Sequence, residues 1–135
     1  MTPIHSMDAV AIATEVNAGT MSARTVVEST LARIKSLDPG LGAFTDVTAA
    51  RALAKADAVD ADRAAGEEPG PLAGVPFAVK NLFDLAGLTT RAGSKINRDN
   101  APAKRDSFLV AQLEAAGAIC VGALNMGEYA YYFTG

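Results

Sequence analysis

Two short apolar runs, Val75 to Val79 and Ala118 to Val121, bracket a stretch with helical periodicity, and that order restricts the fold more than any other feature. Val75 to Val79 is almost continuously apolar, with β-branched and aromatic members, a pattern that suits a strand buried on both faces. Between the runs a helix is expected to begin at Asp106, with Leu109, Leu113 and Ala116 on one face and Gly117 as its stop. Strand, loop, helix, strand is a βαβ unit, so the two runs should lie parallel in an α/β sheet.

The residues before this unit read differently. Met7 to Val16 is helical in composition and stops at Asn17-Ala18-Gly19. Ser22 is a good N-cap for a second helix, in which Val27, Leu31 and Ile34 form one apolar stripe and which Asp38-Pro39-Gly40 should break. Leu41 to Val47 reads as a short strand or an extended link. Thr48 can cap a long alanine-rich helix that runs to about Ala65, with Gly66 as its C′ residue. Small side chains suit close packing of this helix, and Arg51, Lys55, Asp57, Asp60, Asp62 and Arg63 suit a wet outer face. Composition shifts at Gly66–Pro71, which divides the chain into a helical N-terminal arm, residues 1–70, and the start of an α/β core, residues 71–135.

Composition excludes several classes. With 135 residues, 50% hydrophobic and 20% charged, the chain is long enough for one core and too apolar for disorder. One cysteine and one histidine leave neither a disulfide scaffold nor a zinc cluster. No basic-then-apolar leader opens the sequence and no apolar run approaches a membrane span, so a cytoplasmic protein is expected. Gly40 and Gly42 lack the third glycine of a dinucleotide fingerprint. Net charge is −3, with six basic and ten acidic residues up to position 70, then six and five beyond it. Arg91, Lys95, Arg98, Lys104 and Arg105 face only Asp99, which makes either a solvated loop or an attractor for an anionic substrate. Neither the balance nor the aromatic content is that of a nucleic-acid binder.

Lys80 is the chemical outlier, because it ends the most apolar run of the second half. Ligands gather at the carboxyl ends of strands in open α/β sheets, and a lysine withdrawn from water there can act as a general base. The alternative is a lysine that snorkels from a strand end into solvent. His5 has no partner that would make it a base. Cys120 lies within an apolar run and reads as a small core hydrophobe. Asp60 and Asp62 fall on opposite sides of their helix and form no acid–base pair.

The run PLAGVPFAVKNLFD, then AGSK, then DSFLVAQLEAAGAICVGALNMGEYAY, resembles the opening third of the amidase signature enzymes, continuously from Pro71 to Thr134. AGSKIN, EYAY and the later FT are closest in wording to the carboxybiuret hydrolase branch. The resemblance implies a mixed sheet flanked by helices, no metal or organic cofactor, and hydrolysis of a small amide by a Ser–Ser–Lys triad in which Lys80 is the lysine. By the same resemblance Tyr131, Tyr132 and Phe133 line the acyl pocket; read from the residues alone, they equally suit a helix end packed in the core. Gly127 replaces an acidic residue common in the family, and Tyr132 replaces a glycine. The family's two triad serines follow the matched segment, in a Gly/Ser-rich run and a later loop. None of Ser6, Ser22, Ser29, Ser36, Ser94 and Ser107 lies in such a run. The expectation is a chain that holds the base without the nucleophile and is inactive alone. A rival expectation is a truncated or split subunit that works by docking, its open sheet edges covered by a homodimer or a small helical accessory subunit.

Overall fold

A computed structural model describes residues 2–131. After a 3-10 turn at Ile4–Ser6 the chain forms α1 (Ala9–Ala18), α2 (Ala23–Leu41), β1 (Phe44–Val47), α3 (Ala49–Ala64), β2 (Pro76–Lys80), α4 (Phe108–Ala115) and β3 (Ile119–Leu124). The sheet order is β1-β3-β2; β2 runs parallel to β3 and β1 antiparallel to it. The βαβ unit therefore forms as its sequence order requires, and the antiparallel third strand makes the sheet mixed.

The central strand separates two apolar clusters. Ile119 and Val121 join Val16, Val26, Val27 and Ala56 of the three N-terminal helices on one face. Cys120 and Ala123 join Leu85 and Val110 on the other. Between Phe77 and Ala78 the register with β3 skips one residue, so Val121 is a bulge in the ladder. Gly122 follows it where a side chain could not fit: a Cβ there would stand 2.4 Å from the carbonyl oxygen of Asp46. Ala52 and Ala56 are fully buried, so the alanine-rich sequence of α3 does bring that helix close to its neighbours.

Several local expectations need correction. Helix α2 is not broken at Asp38-Pro39-Gly40 but continues to Leu41. Pro39 lies in the last turn, where it removes a single intrahelical donor, and the Gly42 N–H closes the helix on the Asp38 carbonyl at 2.8 Å. The Asp38 carboxylate then accepts the Ala43 N–H at 2.7 Å and steers the chain into β1. Thr48 precedes α3 without capping it; its hydroxyl donates to the Cys120 carbonyl at 3.1 Å.

The outer face of α3 is not wholly solvated either. Arg51 forms a fork on Asp106 at 2.6 and 2.7 Å and also reaches Glu114 at 3.0 Å, which clamps α3 to both ends of α4. Asp60 accepts the N–H groups of Ala23 and Arg24 and helps cap α2. Asp106, held by Arg51 and by the Ala86 N–H, stays outside α4, which starts at Phe108. The buried residue of α4 is Val110, while Leu109 is 57% exposed, so the helix is rotated by one position from the expected face. The strand buried on both sides is β3; β2 is half-buried along its apolar length. Among the described residues no helix is long and apolar enough to cross a membrane.

Candidate active site

The carboxyl ends of parallel β2 and β3 deliver Lys80-Asn81 and Asn125 to one edge of the sheet, and the loop after β2 folds back over them at residues 91–98. Asn81 joins these parts. Its N–H donates to the Leu124 carbonyl at 2.9 Å and its carbonyl accepts the Ala92 N–H at 2.8 Å. Its side chain, 3% exposed, donates to Thr45 Oγ1 at 2.6 Å and Asp46 Oδ2 at 3.3 Å, and accepts the Arg91 N–H at 2.7 Å. A buried amide with its donors and acceptor satisfied fixes β1, β2 and the 91–98 loop against one another.

A second set of bonds ties that loop to the segment after β3. The buried Ser94 hydroxyl donates to Glu128 Oε1 at 2.6 Å, the Tyr129 N–H donates to the Ala92 carbonyl at 2.8 Å, and Asn97 Nδ2 donates to the Tyr129 hydroxyl at 2.9 Å. Gly93, with φ +69°, lies so near this segment that a Cβ would stand 2.6 Å from the Met126 carbonyl oxygen. Ala92, Tyr129 and Ala130 take left-handed φ values of 49°, 50° and 60°, which cost roughly 1–3 kcal/mol each outside glycine. Strain gathered at one strand edge, held by a full set of hydrogen bonds, is characteristic of functional sites.

Two adjoining cavities open here, of about 240 and 470 Å3, with Gly93, Ser94, Lys95, Asn125 and Met126 on the walls of both. Arg91, Arg98, Thr45 and Asn81 complete the smaller one. Ile96, Gly127 and Glu128 complete the larger. All five members of the basic cluster are exposed; Arg91, Lys95 and Arg98 stand on the walls of the smaller cavity, while Lys104 and Arg105 lie elsewhere on the loop.

Lys80 stands at the carboxyl end of β2, paired in register with Leu124, and is exposed. Strand alternation sends Phe77 and Val79 toward the Val110 cluster and leaves Lys80 on the face of Ala78. The lysine occupies the expected strand end, but in this chain it meets solvent rather than a dry pocket. Tyr131 is 89% exposed and is not packed in the core. Tyr132 and Phe133 lie outside the described residues.

Gly127 precedes the 3-10 turn Glu128–Ala130 in an extended conformation, so no helix-interior glycine penalty applies. Cys120 is fully buried, and loss of water around its thiol pushes its pKa up, as suits a core residue. His5 lines a different cavity, with Val75 and Pro76 at the opposite end of β2. No group of three or more potential metal ligands occurs among the described residues. Sequence reasoning missed Asn81 and the Ser94–Glu128 pair. The only available signals were a polar residue immediately after an apolar strand and a serine beside a glycine.

The amidase family profile matches residues 25–135. AtzE, the 1-carboxybiuret hydrolase subunit of Pseudomonas sp. (strain ADP), is 54% identical over 95% of this chain and 28% of its own length. A glutamyl-tRNA(Gln) amidotransferase subunit from Anaeromyxobacter dehalogenans (strain 2CP-C) is 50% identical over 85% of this chain and 23% of its own. The chain thus spans about a quarter of the length of these curated relatives. A solved inhibitor-bound vestigial complex of an s-triazine catabolic enzyme superposes with a TM-score of 0.91 at 54% identity, over 93% of this chain and 27% of that one. A bacterial aryl acylamidase of the amidase signature family superposes with a TM-score of 0.86 at 31% identity, over 95% of this chain and 27% of that one. With the profile covering most of its length and the same strands and helices recurring in these enzymes, the chain belongs to the amidase signature family.

Proposed function

We propose that the chain is the N-terminal part of an amidase signature hydrolase that cleaves the C–N bond of a small linear amide. Lys80 is the proton acceptor of a Ser–Ser–Lys triad. The observation that carries this reading is the place of Lys80: a lysine in a family-like PFAVKNLFD run, at the carboxyl end of a parallel strand, next to the buried Asn81 that lines the smaller cavity. In the reaction the unprotonated amine takes a proton, relayed by a bridging serine, from the nucleophilic serine, which attacks the amide carbonyl. Backbone N–H groups hold the oxyanion, the proton passes to the leaving amine, and water releases the acyl group. The reading assigns both serines to polypeptide outside these 135 residues, and the exposed surface around Lys80 is what that polypeptide covers. It also places the protein in the cytoplasm, with Tyr131, Tyr132 and Phe133 on the acyl side of the pocket.

The test is a chimera in which this chain replaces the matching segment of the Pseudomonas 1-carboxybiuret hydrolase subunit. The chimera should hydrolyse the parent's substrate, lose about a thousandfold in turnover on Lys80→Ala, and outperform the isolated chain, which should be inactive. A chimera indifferent to Lys80→Ala overturns the reading. So does an isolated chain whose own activity depends on Lys80.

One observation favours a second reading, docking without catalysis. Phe108 and Leu41 are each 74% exposed, Leu109 is 57% and Val47 46% exposed, four large apolar side chains left in water. A homodimer or a small helical subunit would cover them, and both curated relatives above are themselves named as subunits. Sedimentation decides: a well-behaved monomer over the micromolar range counts against docking.

A further inference from the structure

Ser94 stands at the start of the 3-10 turn Lys95–Asn97, where a serine often caps the turn with its own side chain, yet it makes no such bond. Its hydroxyl is diverted across the site to Glu128 Oε1 at 2.6 Å, 34 positions later in the chain. The two ends of this bond are unequal. Ser94 is 5% exposed and nearly shut off from water, whereas Glu128 is exposed and its carboxylate has water as an alternative. A carboxylate that leaves water for a buried hydroxyl ties two segments together.

The segment so tied is strained. Tyr129 and Ala130 follow Glu128 at φ 50° and 60°, and the Tyr129 N–H rests at 2.8 Å on the carbonyl of Ala92, itself at φ 49°. Left-handed backbone outside glycine persists only where the surroundings enforce it. Two clamps do so. Before Gly127, the Asn125 N–H donates to the Ala43 carbonyl at 2.7 Å and Met126 is buried. After it, Ser94, Asn97 and Ala92 hold Glu128 and Tyr129. The loop side is firm, because the Ser94 N–H donates to the Arg91 carbonyl at 2.9 Å and the Arg91 N–H rests on buried Asn81. Between the clamps, Asn125 to Glu128 form one wall of the larger cavity, and Asn125 and Met126 part of the smaller.

We propose that Ser94 and Glu128 are positioning residues: their bond latches the strained segment onto the 91–98 loop and so sets the wall against which substrate binds. The latch stands on the geometry alone; its effect on substrate rests on the hydrolase reading. A displaced wall weakens ground-state and transition-state binding alike, which raises KM and leaves kcat. Partial unfolding does the reverse, since it removes active molecules and leaves the affinity of the rest.

The variants are Ser94→Ala, Glu128→Ala and Glu128→Gln, the last of which keeps a carbonyl to accept the Ser94 hydroxyl. In the full 135-residue chain, hydrogen exchange at the Tyr129 amide should quicken at least about tenfold relative to the Arg91 amide in both alanine variants, and stay within about threefold in Glu128→Gln. If the bond serves only to satisfy a buried hydroxyl, Ser94→Ala removes the need along with the bond and leaves exchange unchanged, while Glu128→Ala disturbs it. That pattern overturns the latch. In the chimera, both alanine variants should raise KM for the parent's substrate at least about fivefold with kcat within about twofold, and Glu128→Gln should keep the original KM. A loss confined to kcat, or an unchanged KM, overturns the role in binding and leaves the amidase reading intact. A chimera inactive before any of these substitutions refutes the amidase reading, while quickened exchange in both isolated alanine variants still upholds the latch.

Discussion

Replacing Asn81 by alanine removes three side-chain hydrogen bonds from a residue that is 3% exposed. The bonds to Thr45 and to the Arg91 N–H, at 2.6 and 2.7 Å, are short and neutral; the one to Asp46, at 3.3 Å, is longer but charge-assisted. At roughly 1 kcal/mol each, with the part-buried Arg91 N–H left unpaired, the expected loss is about 3 kcal/mol. Against a total stability of about 5–15 kcal/mol that is a large fraction. For an m-value of about 1.5 kcal/mol/M the urea midpoint should fall by about 2 M. Hydrogen exchange adds a local readout. The Arg91 amide, bonded to the Asn81 side chain, should lose protection, whereas the Ala92 amide, bonded to the Asn81 backbone carbonyl, should keep it relative to global unfolding. A midpoint shift under 0.5 M (about 0.75 kcal/mol at that slope) with Arg91 protection unchanged would refute the idea that Asn81 ties this edge together.

Other consequences concern the clamp, the thiol and the loop. Arg51→Met leaves Asp106 and Glu114, whose side chains are 22% and 18% exposed, without their cation, and should cost about 2–3 kcal/mol by urea unfolding. Hydrogen bonding to Arg51 holds the Asp106 carboxyl below the usual carboxylate value, so its share of stability is complete above the unfolded value of 3.8 and is lost as pH falls below it. Arg51→Met should therefore flatten the acid limb of a stability–pH curve. Cys120 should resist alkylation in the native protein, and stability should decline above pH 9, where the unfolded thiol ionises while burial keeps the folded one neutral. Gly93→Ala should destabilise by about 1–2 kcal/mol, because a side chain is strained at φ +69° and meets the Met126 carbonyl oxygen. The same substitution should loosen exchange at the Tyr129 amide.

The βαβ order was legible because it rests on periodicity and on breakers, which are local. Ser22, Gly19 and Gly66 mark helix ends in the structure as they do in the sequence, for the same reason. The errors arise where a distant partner decides. Asp106 looks like a helix start, yet Arg51, 55 positions earlier in the chain, holds it outside α4. Thr48 looks like a cap, yet its hydroxyl serves a strand 72 positions later. Leu109 looks like a core residue, yet the rotation of α4 is set by Val110 against Cys120. At the site, Lys80 stood out because a charge after an apolar run is visible in one dimension. Asn81 did not, because the importance of a buried amide lies in partners at positions 45, 46 and 91. The basic cluster was visible as composition, but only the folded loop separates the three cations that share a cavity from Lys104 and Arg105.

The most direct test of Lys80 as the proton acceptor is the single-turnover rate of leaving-group release from a chromogenic anilide by the chimera, with and without Lys80→Met. The account predicts a rate at least about a hundredfold lower, with substrate affinity unchanged, since a base acts in the transition state and not in binding. A rate within a few-fold of the unsubstituted chimera, or a loss confined to affinity, would contradict it.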